Sequence, residues 1–219
     1  MNHPLIKTLF VGLAVFALVG CGNSLEGTTR TPAVQQEEPT RDKPLVIDPE
    51  ERTISVYTTV NGQFTKEPTR HGMNFREGKI ADEALFASYA NMLDFHDALL
   101  KLNADRGELD KEKYVNGGTK IDISVSWEEA EREYDLGDVV EDSTGKELDY
   151  RYSGQVTNAV RKFTGCMMCF DSCDVGVTSN SSHPKGITED PDAEVALRGK
   201  SDVLPDDGTP VTVTFHLRS

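Results

Sequence analysis

From Thr53 to Val60 apolar and polar side chains alternate, with Ile54, Val56, Thr58 and Val60 on one face, and Asn61-Gly62 follows just before Phe64. A period of two is the repeat of a strand, and Asn-Gly between alternating segments predicts a hairpin. A second stripe runs Ile121, Ile123, Val125 and Trp127, with Asp122, Ser124 and Ser126 facing away. A third closes the chain with Val211, Val213, Phe215 and Leu217, opposite Thr212, Thr214, His216 and Arg218. Tyr134 to Val140 and Leu148 to Tyr152 are weaker strand candidates. One segment changes period. Met92, Phe95, Ala98, Leu99 and Leu102 fall at helical spacing between Asn91 and about Asn103, with Asn91 or Asp94 as N-cap and Gly107 as a stop beyond. Strands with one apolar and one polar face read as antiparallel sheet with one side solvated or lightly covered. The expected fold class is therefore α+β, a largely antiparallel sheet with one principal amphipathic helix packed on one face. The stretch from Thr178 to Gly199, rich in Ser, Asn, Pro and Gly, reads as a long loop.

The N-terminus follows a different logic. Lys7 precedes the apolar run Leu9 to Val19, which is too short to span a bilayer comfortably, and small residues end it. Leu18-Val19-Gly20-Cys21 has the form of a bacterial lipobox, in which the cysteine is lipidated and becomes the first residue of the mature chain. Two or three acyl chains hold a domain to a membrane where a single chain binds only marginally. From Gly22 to Pro44, Gly, Thr, Pro, Gln, Glu and Arg dominate, a composition that cannot bury enough surface to fold. As a flexible coil this segment spans roughly 25–30 Å. The expected organisation is a signal peptide over 1–20, a lipidated Cys21 and tether over 21–44, and one domain over 45–219. The expected location is the cell envelope, on the outer face of a bacterial membrane, with the membrane reached through the lipid on Cys21.

Charge removes one class of partner. The 219 residues carry 23 Lys+Arg against 37 Asp+Glu, a formal net charge of -14. Such a field repels phosphate backbones, so no nucleic-acid partner is expected. The sequence also lacks the glycine-rich phosphate loops, nucleophile elbows and paired-histidine zinc motifs of common enzymes, which favours a binding role over catalysis.

The sharpest chemistry is Cys166-Met-Met-Cys169-Phe-Asp-Ser-Cys173, with His183 beyond it. With Cys21 taken by lipid, an odd three thiols remain in an exported domain. Cys-x2-Cys places two sulfurs within reach of one metal, and Cys173 could complete three ligands, with His183 or a carboxylate as the fourth. The spacing also resembles part of a ferredoxin iron–sulfur run, but the fourth cysteine of such runs is absent. A structural disulfide with a spare thiol and a redox-active dithiol are the other readings, although Met167-Met168 is not the usual dithiol spacer. His71, in Arg70-His71-Gly72, is a further candidate ligand or base, weighed against an ordinary hydrogen-bonded histidine. His96 and Asp97 lie off the apolar helix stripe and read as solvent-facing.

The domain resembles the YdjY-type family of small bacterial envelope domains, often described as ferredoxin-associated. The resemblance is carried by His71-Gly72, Phe95-His96-Asp97-Ala98-Leu99-Leu100, the strand ending in Trp127, Gly154, Gly165-Cys166 through Cys169, Cys173, Gly176, Ser179-Asn180 and the closing Asp202 to Phe215. It implies an exported, frequently lipid-anchored protein in which the three cysteines and His71 belong to a shared pattern. By association with ferredoxins it implies a redox or iron–sulfur context; the candidate cofactors are zinc or an iron–sulfur cluster, and the candidate partner is a redox protein. The expected function is a membrane-anchored lipoprotein that binds a ligand or partner; the alternative is a redox accessory protein working through Cys166, Cys169 and Cys173.

Overall fold

The computed structural model describes residues 37–218. The expected signal peptide, Cys21 and most of the expected tether lie outside the described residues. Eight strands carry the fold: β1 (Thr53–Val60), β2 (His71–Phe75), β3 (Ala84–Ser88), β4 (Lys120–Ser126), β5 (Tyr150–Tyr152), β6 (Cys166–Cys169), β7 (Thr178–Asn180) and β8 (Pro210–Leu217). They pair in the order β1-β8-β4-β5-β7-β6-β2-β3, and β3 pairs back onto β1 through Thr58↔Ser88 and Val60↔Phe86. The sheet is a closed barrel, which leaves no unpaired edge among these strands. The expected α+β arrangement, an open sheet with one helix on one face, is thereby corrected to a largely β architecture. The misreading has a physical cause: one apolar and one polar face per strand is the signature of any sheet covered on one side, and a barrel interior is such a cover.

The long strands behave as their alternation predicts. Val56 pairs with Val213, and Val213 pairs in turn with Val125, so the three apolar stripes meet inside the barrel. Ile54, Val56, Val125, Val213 and Phe215 are fully buried there. The hairpin expected at Asn61-Gly62 does not form. Asn61 instead caps a short 3-10 turn (Gly62–Thr65) by accepting from the Gln63 N–H, and β1 takes β8 and β3 as neighbours. The expected loop from Thr178 to Gly199 also contains structure, since it begins with β7 and ends in a strand, Leu197–Gly199, that pairs with Val140–Asp142.

Helix α1 (Met92–Lys101) starts at Asn91, whose side chain accepts from the N–H groups of Leu93 and Asp94. It ends in a left-handed Asn103 (φ 56°), with Ala104 N–H donating to Leu99 C=O and Asn103 N–H to Leu100 C=O. Those two bonds and the left-handed residue form a Schellman ending, which stops the helix before Gly107 can. Met92, Phe95, Ala98 and Leu99 are buried, and the Phe95 ring lies 4.7 Å from that of Phe215 on β8. A second helix, α2 (Val156–Lys162), packs beside α1 and leads through Phe163 into β6.

Two barrel pairings are parallel, β2–β3 and β6–β7, and the rest are antiparallel. Parallel neighbours normally need a crossover of about a dozen residues or more. Here residues 76–83 and 170–177 make the crossings. Because β2 also pairs with β6, the two tight crossovers lie close together, and the second contains Cys173.

Candidate functional site

Strand β6 carries Cys166 and Cys169, and register places Cys169 opposite His71 and Cys166 opposite Asn74 on β2. The pairing shifts between Cys166 and Cys169, so a bulge interrupts the strand. Cys166 Sγ and Cys169 Sγ are 2.6 Å apart, and His71 Nδ1 stands 3.7 Å from Cys166 Sγ. Cys166, Cys169 and Cys173 are free thiols and fully buried, and with Val175 they form a small cluster, separate from the main core, against which Ile80 packs. Met167 and Met168, between the two β6 cysteines, belong to the main core instead.

The loop that brings Cys173 back is fastened on several sides. Cys173 N–H donates to Ser179 Oγ, and the Ser179 hydroxyl donates to Ser153 Oγ, whose own proton goes to the Gly176 carbonyl at 3.0 Å. Asn180 Nδ2 holds the Phe170 carbonyl, and Ser172 Oγ accepts from the Val115 N–H. Gly176 is required by space: a Cβ there would sit 2.6 Å from Cys169 Sγ.

Electrostatics divides the thiols. The influence of the neighbouring Cys166 and Cys169 thiols, helped by the Val175 N–H and the Arg70 charge, outweighs burial and holds the Cys173 thiol well below its ordinary range. Burial pushes the Cys169 thiol well up. Cys166 is also raised, because the lowering influence of Cys169 is outweighed by that of Cys173 and by burial. His71 is lowered to about 4, by burial first and then by the adjacent Arg70 cation. Its imidazole is therefore neutral at physiological pH, the form in which histidine binds a metal. His71 Nε2 lies 3.6 Å from Glu83 Oε2.

Around this group lies a shell of polar atoms that the fold does not satisfy. Arg70 Nε, Asn74 Oδ1, Tyr150 OH and Asp171 Oδ1 are buried without a hydrogen-bond partner. Arg70 reaches Asp171 at 3.7 Å and pairs with Glu189, while Asp171 Oδ2 accepts from Gly186 N–H and Thr188 Oγ1. Burial, against the pull of Arg70, raises Asp171 to about 6. Burial and the sulfurs of Cys169 and Cys166 push the Tyr150 hydroxyl well above its ordinary range. Buried polar atoms without a hydrogen bond are uncommon in native proteins, and four of them stand around the cysteines.

Of the residues singled out by sequence, His71, Cys166 and Cys169 have ligand atoms within 4.8 Å of one another, while Cys173 shares their buried cluster but stands outside that close group. His183 goes elsewhere. Its imidazole meets Asp142 at 2.6 Å, both groups being buried, and only its carbonyl reaches the cysteine loop, at Ser172 N–H. His96 is half-buried and bonds the Tyr152 hydroxyl at 2.9 Å, so it is not the solvent-facing residue expected. Arg70, Tyr150, Ser153 and Asp171 escaped sequence reasoning. Arg70 and Asp171 adjoin His71 and the cysteine run in sequence, which was the one available signal for them. Nothing local marks Tyr150 or Ser153.

The YdjY domain family matches residues 45–216. The chain is 37% identical over 209 residues to the uncharacterized protein YdjY of Escherichia coli (strain K12), covering 94% of this chain and 91% of that protein. No solved structure matches it. The chain belongs to the YdjY domain family.

Proposed function

We propose that the protein is an envelope lipoprotein, anchored through lipid on Cys21, whose barrel holds a thiophilic metal ion on Cys166, Cys169, Cys173 and His71. Zinc is the simplest occupant, since three thiolates and one imidazole are a common structural zinc set. The observation that carries the reading is the meeting of Cys166 Sγ, Cys169 Sγ and the His71 imidazole within 4.8 Å of one another, in a buried cluster that Cys173 shares from the crossover after β6. The unsatisfied donors Arg70 Nε and Tyr150 OH support it, because zinc with three thiolates and a neutral imidazole is a net-anionic centre that would accept from them. Tetrahedral zinc with bonds of about 2.3 Å would separate its sulfurs to about 3.8 Å. Cys166 and Cys169, at 2.6 Å, would have to part by about 1 Å. Burial also weighs against thiol exchange with another protein, which needs an attacking thiolate to reach an exposed sulfur.

A second reading rests on that same 2.6 Å separation, which favours Cys166 and Cys169 as a dithiol that closes to a disulfide when a small two-electron oxidant takes two electrons and the two thiol protons leave. One experiment separates the two. Protein purified without oxygen is analysed for metal, then unfolded in a trapping reagent so that thiols are counted. One equivalent of metal with three domain thiols supports the metal centre. No metal, no uptake of added zinc and a Cys166–Cys169 disulfide overturn it in favour of the dithiol. The anchor has its own test: Cys21→Ser should release the protein from membranes, and continued retention contradicts lipidation.

A further inference from the structure

Among the described residues the exposed large apolar side chains are Leu93 (46%), Leu100 (50%), Val160 (47%) and Phe163 (59%). All four come from α1 and α2 or the residue that ends α2, and these helices pack side by side. Leu93 and Leu100 are seven positions apart, so they share one line along α1. Val160 and Phe163 stand at the end of α2. The ending of α2 is itself unusual. Phe163 N–H donates to Val160 C=O and Thr164 N–H to Ala159 C=O, the two bonds of a Schellman motif. The left-handed position of that motif, where glycine is favoured, holds Phe163 at φ 50°. A bulky residue there is strained, and within one chain its ring gains little burial in return.

The charges on this face have a second property. The α1 side carries the exposed Asp94 and Asp97 beside its two leucines, with one exposed cation, Lys101, at its last turn, and the α2 side carries the exposed Arg161 and Lys162 beside Val160 and Phe163. Neither Asp97 nor Arg161 has an ion-pair partner among the described residues. Acidic-apolar next to basic-apolar is a surface complementary to itself after rotation by half a turn, which is the requirement of a two-fold interface. We propose that this face is the seat of a second copy of the chain, with α1 of each copy laid against α2 of the other. A membrane surface fits less well, because Asp94 and Asp97 would be pressed toward anionic headgroups. Four half-exposed apolar side chains make a small patch, so the association is a weak one, strengthened where copies are concentrated on one membrane.

The test uses full-length copies tagged to differ in size. One carries Leu100→Cys and the other Val160→Cys, and they are co-expressed and oxidised. Only unlike copies can give the mixed disulfide band, so a contact within one chain cannot produce it. The band is expected, and it should fall at least about tenfold when both copies carry Phe163→Gly, which suits the left-handed backbone while removing the ring. Arg161→Glu in both copies should weaken it similarly, and Arg161→Glu combined with Asp97→Arg should restore it. No mixed band, or a band indifferent to charge reversal and its compensation, overturns the proposal. Loss of membrane retention by Phe163→Gly in a Cys21→Ser chain, without any mixed band, would identify the face as a membrane contact and overturn it as well.

Discussion

His71 Nδ1 lies 3.7 Å from Cys166 Sγ, although the two residues are 95 positions apart in the chain. The antiparallel β2–β6 pairing makes the meeting, and closure of the barrel fixes it. The consequence for metal binding is direct. A group that only orients a metal ligand costs about 10- to 100-fold in affinity when lost, so His71→Ala should cost at least that much. His183→Ala should leave affinity unchanged, since its ring is committed to Asp142. Competition with a chromophoric chelator measures both. Equal losses in the two variants would remove His71 from the ligand set.

How far the sequence disclosed this site depends on distance along the chain. The strands β1, β4 and β8 were legible because each is long enough for period two to repeat, and α1 because its apolar positions hold helical spacing from Met92 to Leu99. The strands that close the barrel are short: β5 and β7 have three residues each and β6 has four. A segment of that length shows no period. Closure is decided by pairings such as Val60↔Phe86 and Tyr150↔Asn180, which no local pattern encodes. The cysteines were legible as a cluster through their spacing. Whether His71 or His183 joined them was not, because that depends on which strand pairs with β6.

Gly176 offers a test of the tight crossover. A Cβ would stand 2.6 Å from Cys169 Sγ and 3.1 Å from the Thr178 carbonyl, the latter on a paired strand with little freedom to move. Gly176→Ala should therefore destabilise by about 1–3 kcal/mol, the usual range for overpacking. Gly137 provides the contrast, since a Cβ there meets nothing within 4 Å. Gly137→Ala should be neutral or stabilise by up to about 1 kcal/mol, through loss of freedom in the unfolded chain. Urea unfolding of the two variants reads the difference.

Asp142 gives the acid limb of the stability curve. Burial opposes its ionisation, but hydrogen bonds from His183 and Thr144 outweigh that and hold the carboxyl below its usual range. A folded pKa lower than the unfolded value of about 3.9 means that the unfolded chain binds the proton more readily. The stability contributed by Asp142 is then complete above about pH 4 and drains away as the pH falls through the lower folded value. Asp142→Asn should lower stability at pH 7 by about 1–3 kcal/mol, because a buried His183 loses its charged partner. It should also flatten the loss of stability between about pH 4 and pH 2. Unfolding midpoints measured across that range, in both proteins, check the two effects together.

The place of α1 in the fold can be weighed through one ring. Phe95 is fully buried, and its ring meets that of Phe215 at 4.7 Å with the planes tilted by 58°. Phe215 is also flanked in register by Ile54 and Ile123, so the contact joins the helix to the apolar interior of β1, β4 and β8. A helix resting on an already complete barrel could lose such a contact cheaply. A helix that completes the interior could not, because truncation would leave a cavity bounded by paired strands that cannot close around it. Phe95→Ala should accordingly cost about 3–5 kcal/mol, the range for a buried phenylalanine. Lys101→Ala, at an exposed position of the same helix, should stay within about 0.5 kcal/mol of the parent. Urea midpoints with unchanged slopes would register both as changes in stability alone. A cost below about 1 kcal/mol for Phe95→Ala would mean that the strands fold independently of α1 and that the helix is an appendage to the barrel.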